Sequence, residues 1–234
     1  MTALARWKEL CMDTTGGERL GRFWASVSGL ELHPDGEAGD LTGPTEGHGI
    51  AMCTVPEAKT AKHRVHLDVY AASEADLEAL GATVVLPREE SGFRWTVLAD
   101  PEGGEFCAFP KAADQMPSYT VHGLVVDSVD PESIARWWAD VLGGTLDGSP
   151  ERGWWWLTDV PGLPITTMDF VPVPEPKTVK NRIHWDVYGS VDALRERGAT
   201  LLRARDDSGA AAGGSISWDV MADPEGNEFC VFAG

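Results

Sequence analysis

Three blocks of sequence recur in the same order at two places in this chain. An internal repeat constrains a fold more than any other feature, because it defines the structural unit. The first block runs from Cys11-Met12-Asp13 to Phe23-Trp24 and returns as Val125-Val126-Asp127 to Trp137-Trp138, with equal spacing from the aspartate to the second aromatic residue. The second is VPEAKTAKHRVHLDVY, starting at Val55, matched by VPEPKTVKNRIHWDVY, starting at Val173. The third is LADPEGGEFCAF, from Leu98, matched by MADPEGNEFCVF, from Met221. The 234 residues therefore divide into copy one (1–112), a short polar linker (113–118) and copy two (119–234).

Each copy opens with an apolar run, Leu10 to Met12 or Leu124 to Val126, that reads as a strand. A helix follows. In copy two, Asp130 is suited to the N-cap and Pro131 to the first helical position, and Gly143 ends the element. Ile134, Trp137, Trp138 and Leu142 recur at helical spacing between them. Short strands come next: Ile50 to Val55 in copy one, Trp154 to Leu157 and Ile165 to Val171 in copy two. The second block opens another strand, in which Val65, Leu67 and Val69 alternate with His66, Asp68 and Tyr70. A short helix and two strands complete the unit, with a tight turn at Asp100-Pro101-Glu102-Gly103 or Asp223-Pro224-Glu225-Gly226. Each copy is thus a βαβββ unit used twice. The Gly/Ala-rich stretch Gly209 to Gly214 reads as a loop insertion.

A formal net charge of -18 repels phosphate backbones and anionic membranes, so neither nucleic acid nor a membrane is an expected partner. No apolar run reaches the ~20 residues a spanning helix needs, and the N-terminal residues carry no signal-peptide segment. Cys11, Cys53, Cys107 and Cys230 form no CxxC pair and read as reduced cysteines of a cytoplasmic protein.

The pattern of VPEPKTVKNRIHWDVY and DPEGNEFCVF resembles the glyoxalase-like branch of the vicinal oxygen chelate superfamily, which includes glyoxalase I, extradiol dioxygenases and the bleomycin-resistance proteins. The resemblance covers nearly the whole chain, twice. It implies an α+β fold of tandem glyoxalase-like domains, each made of two βαβββ modules whose mixed sheet curls around a cavity. It also implies metal ligands on the first strand, on the strand opening the second module, and on the last strand. In copy one these positions fall on Glu9, His66 and Glu105, with Glu9 and Glu105 as the catalytic carboxylates. In copy two they fall on His184 and Glu228 as a weaker set, because the first-strand position is Gly123. His122 stands one residue away, and only a bulge would turn it to the ligand face. The fourth position falls near Cys53 and Val171.

Glu9, His66 and Glu105 would suit Fe, Mn, Ni, Co or Zn, and no organic cofactor is expected. Trp24, Trp137, Trp138, Trp95 and Trp218 read as packing residues, and Trp185 points away from the His184 face. Trp154 and Trp156 share one strand face and, with Cys53, are candidates to contact a small-molecule ligand. Two functions stay open. One is metal-assisted lyase, isomerase or dioxygenase chemistry in one domain. The other is metal-free binding of an antibiotic or natural product. Either a monomer or a homodimer fits a duplicated chain.

Overall fold

A computed structural model describes residues 3–16, 18–34, 39–206 and 216–234. The insertion at Gly209 to Gly214 lies outside the described residues. Four βαβββ modules follow one another. The first holds β1 (Ala5–Thr14), α1 (Glu18–Ser28), β2 (Glu31–His33), β3 (Asp40–Thr42) and β4 (Ile50–Thr54). The second holds β5 (Val65–Ala71), α2 (Glu74–Leu80), β6 (Thr83–Leu86), the short α3 (Arg88–Ser91), β7 (Thr96–Ala99) and β8 (Glu105–Pro110). Copy two repeats the plan. Its first module holds β9 (Val121–Ser128), α4 (Pro131–Leu142), β10 (Thr145–Ser149), β11 (Trp154–Thr158) and β12 (Thr167–Pro172). Its second holds β13 (Ile183–Gly189), α5 (Val191–Glu196), β14 (Thr200–Arg203), β15 (Asp219–Ala222) and β16 (Glu228–Phe232). No described helix is long and apolar enough to cross a membrane.

Local chemistry explains the boundaries. The Asp130 carboxylate accepts from the Ser133 N–H, Pro131 begins α4, and Gly143 closes it. Ser73 caps α2, and Gly81 ends it at φ 111°, in the left-handed region that favours glycine. In the turn after β7, Asp100 Oδ1 accepts from the N–H groups of Glu102 and Gly104, and its Oδ2 accepts from Trp24 Nε1 of α1. Asp223 repeats this with Glu225, Asn227 and Trp138. One buried aspartate thus shapes each turn and ties it to the helix of its own copy. Trp24 packs edge-on against Phe106, and Trp138 against Trp185 and Phe229.

The α+β class and the tandem arrangement hold, but the sheets are not built copy by copy. Among the described residues there are two mixed eight-stranded sheets. The first has the order β14-β15-β16-β13-β1-β4-β3-β2 and the second β10-β11-β12-β9-β5-β8-β7-β6. Each joins the first module of one copy to the second module of the other. At the centre of the first sheet β1 runs antiparallel to β13, and at the centre of the second β5 runs antiparallel to β9. The sheets run between copies, and α4 also reaches across to copy one, where Leu4 N–H donates to the Val141 carbonyl.

Candidate functional site

The concave face of the second sheet encloses a cavity of about 560 Å³, within the usual size of a small-ligand site. Strand alternation decides what lines it. On β5, Val65, Leu67 and Val69 are buried in the core, so His66 and Asp68 face the cavity. Phe106 of β8 belongs to the core as well as the cavity wall, and Glu105, Cys107 and Phe109 face inward. From copy two come His122, Trp154 and Asp169. His122 is the extra residue of a β-bulge: Asp68 pairs with Gly123, and Val69 with Val121. The bulge turns His122 and Gly123 to the same face, which meets the condition set for His122. At Gly123 a Cβ would stand 3.0 Å from that of Asp68, so glycine lets the aspartate lie over this strand.

The cavity has an aromatic wall and a polar floor. Trp95 stacks between Phe93, at 4.6 Å, and Phe109, at 5.1 Å. His122 stacks on Tyr70 at 4.0 Å. On the floor, donor atoms of His66, Asp68 and Cys107 lie within 4.8 Å of one another. Among the described residues, Asp68 Oδ1 and His122 Nε2 are buried without a hydrogen-bond partner, with His66 Nε2 3.7 Å from Asp68 Oδ1. Such orphaned atoms normally mark a place for water or a ligand. Burial, reinforced by the Asp169 charge, raises the Asp68 carboxyl to about 8. Burial raises Asp169 to about 6, although Thr167 donates to it. Burial lowers His66 to about 4, with Lys62 adding to the effect, and His122 to about 4, with Lys111 adding. At neutral pH both histidines are uncharged and Asp68 is largely protonated.

The first sheet has the same frame and different furniture. His184, Asp186 and Cys230 repeat His66, Asp68 and Cys107, with donor atoms again within 4.8 Å. Lys8, the bulged residue of β1, stands where His122 stands in the other sheet. Its ammonium lies 4.6 Å from the Phe232 ring centre and pairs with Glu9. Cys11 and Cys53 replace Val125 and Val171, as the matching registers show.

The expected set Glu9, His66 and Glu105 is therefore divided. Glu9 lies in the first sheet beside Asp186, and His66 and Glu105 lie in the second. The reason is the exchange of modules: β1 meets the second module of copy two, so Glu9 shares its sheet with His184 and Glu228. Cys53, expected to contact ligand, also lies in the first sheet, in contact with Cys11. Trp154 lines the second-sheet cavity. Trp156 shares its strand face but pairs with Asp169 outside the described cavity wall. Trp95, expected in the core, stands on the cavity wall, because it alternates with the buried Thr96 and Leu98. Trp24 and Trp138 are core residues, and Trp185 is fully buried on the face opposite His184. The sequence reading missed Asp169. Its signal is the alternation Thr167, Asp169, Val171 against the core residues Met168 and Phe170.

Each carboxylate assigned to a metal by family resemblance is held by a lysine. Lys59 donates to Glu105 at 2.8 Å and Lys177 to Glu228 at 2.6 Å, while Lys8 pairs with Glu9. The other oxygens of Glu105 and Glu228 accept from the N–H groups of His63 and Asn181. Burial alone would raise the Glu105 carboxyl, but Lys59 and the His63 N–H outweigh it and hold the group below its usual value. A cation already sits on each carboxylate, so these residues do not fit a resident divalent metal. Replacing Lys59 with methionine is expected to strengthen Zn²⁺ binding by about tenfold or more, because it frees Glu105. Equilibrium dialysis of K59M and the parent protein checks this, and equal affinities would count against the lysine as the excluding group.

Comparison with known proteins agrees with this architecture. The family model described as glyoxalase-like domain matches residues 9–109 and again 123–232. No curated protein matches the chain. Among solved structures, glyoxalase I from Zea mays superposes with a TM-score of 0.67 at 12% identity, covering 98% of this chain and 92% of that one. A mutant form of the same Zea mays enzyme gives 0.64 at 14% identity, with coverages of 97% and 93%. A Bacillus subtilis protein with a provisional dioxygenase assignment gives 0.59 at 14% identity, with coverages of 99% and 86%. At these identities the likeness concerns the fold alone. With the family model matched over most of both copies, the chain belongs to the glyoxalase-like domain family of the vicinal oxygen chelate superfamily.

Proposed function

We infer that the protein binds a small planar molecule in the second-sheet cavity, without a metal on the family's carboxylates. The pairing of Glu9, Glu105 and Glu228 with Lys8, Lys59 and Lys177 carries this reading. The cavity supplies the rest. The Phe93, Trp95 and Phe109 stack offers flat apolar area, and Trp154 adds another aromatic surface from copy two. Asp68 Oδ1 and His122 Nε2, which make no hydrogen bond to described residues, would orient the polar edge of the ligand. Asp68, protonated at neutral pH, and Asp169 can hold or pass a proton there.

Tryptophan fluorescence tests this directly. Titration with 2-naphthol, a planar phenol, is expected to quench emission equally with and without EDTA. The Trp95→Ala variant should bind about tenfold more weakly, through loss of stacking area. Quenching abolished by EDTA, or unchanged in W95A, would overturn the reading.

One observation favours a second reading, that of a metal-assisted enzyme. His66, Asp68 and Cys107 offer nitrogen, oxygen and sulfur donors within 4.8 Å, a set that suits Zn²⁺. A metal held there would polarise a ligand oxygen, and Asp68 and Cys107 would release their protons to take it. Equimolar metal in the purified protein, lost in H66A, would favour this reading over the first.

A further inference from the structure

The first sheet carries a feature that the second lacks. Cys11 on β1 and Cys53 on β4 lie on neighbouring parallel strands, and their sulfurs are 2.8 Å apart. Two unbonded sulfurs normally rest near 3.6 Å, roughly twice the sulfur radius. A disulfide needs about 2.05 Å. The two thiols are thus in direct contact on neighbouring strands, close enough for a bond to join them. Their counterparts in the second sheet are Val125 and Val171, so the thiol pair is particular to one half of a duplicated fold.

The two sulfurs have different surroundings. Cys11 is buried, whereas Cys53 is partly exposed. Cys11 lies beside Asp13 and His184, with donor atoms within 4.8 Å. The contact with Cys11 lowers the Cys53 thiol, against burial and the charges of Asp13 and Asp186, with Lys180 adding slightly to the lowering. The same contact, together with burial, raises Cys11. Cys53 is thus the accessible sulfur, and Cys11 the sheltered partner behind it. Cys107 and Cys230 are buried, and both are raised by burial.

We propose that Cys11 and Cys53 form a dithiol pair that reduces hydroperoxides, with Cys53 attacking and Cys11 resolving. In the first step Cys53 sulfur bonds to the peroxide oxygen, the O–O bond breaks, and the leaving oxygen takes the thiol proton as water or an alcohol. Cys53 is then a sulfenic acid. In the second step Cys11 sulfur bonds to Cys53 sulfur, the S–O bond breaks, and hydroxide leaves with the Cys11 proton as water. The two thiols lose two protons and two electrons, and the peroxide gains them. The product disulfide ties β1 to β4 within the first sheet. The second-sheet cavity takes no part.

The test uses the full chain, reduced and then exposed to a small excess of hydrogen peroxide in EDTA, so that metal cannot mask thiols. Titratable thiols are expected to fall from the four of the reduced chain to two, with a mass lower by two hydrogen atoms. Peptide mapping should link the segments containing Cys11 and Cys53, and dithiothreitol should restore all thiols. In C11S, Cys53 should instead accumulate as a sulfenic acid that dimedone traps. An unchanged thiol count, or a loss falling on Cys107 or Cys230, would overturn the proposal. The wild-type peptide map decides the matter even if C11S folds poorly.

Discussion

Copy one made alone, ending at residue 112, is expected not to fold as a monomer. In the full chain β1 takes β13 as its antiparallel partner, and β5 takes β9. Both partners belong to copy two. Without them the two central strands become edges. Each then exposes a row of unpaired N–H and C=O groups beside a buried apolar face. The apolar surface that copy two covers is uncovered as well, at about 25 cal/mol per Å², a loss comparable with the whole stability of a typical domain. The remedy open to the fragment is to exchange modules with a second fragment. Such a homodimer would place Glu9 in the same sheet as His66 and Glu105, the combination that the linear sequence suggests for copy one. Light scattering and near-UV circular dichroism distinguish the outcomes. A dimer or an aggregated chain agrees with the topology, and a monomer with native aromatic dichroism contradicts it.

Replacing Asp68 with asparagine is expected to stabilise the protein at pH 8 and to leave it nearly unchanged at pH 4. The sign follows from linkage. The Asp68 carboxyl has an ordinary value of 3.8 in the unfolded chain and is raised to about 8 in the folded one, by burial and then by Asp169. The folded state therefore binds more protons between these limits, and wild-type stability falls as pH rises across that window. Asparagine keeps the neutral shape and removes the titration. The gain should be on the order of 3 kcal/mol at pH 8, less than the full displacement implies, because water and side-chain movement relieve part of the burial. Urea unfolding of D68N and wild type at pH 4, 6 and 8 gives the measurement. A destabilised D68N at pH 8 would show that the ionised carboxylate is held by a favourable partner.

Much of the local structure was legible beforehand. Asp130, Pro131 and Gly143 bound α4 because a cap, a fixed φ and a chain-terminating glycine act within a few residues. The two Asp-Pro-Glu-Gly turns and the alternation on β5 are likewise short-range. The candidate site was less legible. His122 was recognised as dependent on a bulge, but the bulge is a matter of register between strands more than fifty positions apart. The lysines that occupy Glu105 and Glu228 sit in the repeated VPE(A/P)KT segments in plain view. Nothing local says that an ammonium 46 or 51 positions away will reach a particular carboxylate.

Sequence alone determined that there are four like modules, where α4 and the two Asp-Pro-Glu-Gly turns lie, and which side chains of β5 share a strand face. Those are properties of periodicity and of backbone chemistry at neighbouring residues. Tertiary structure decided which module lies beside which. A β-strand offers the same backbone donors and acceptors to any partner of compatible register, and in a duplicated chain two nearly equivalent partners exist for every central strand. That choice set Glu9 apart from His66, gave the second sheet its aromatic cavity, and brought Cys11 against Cys53.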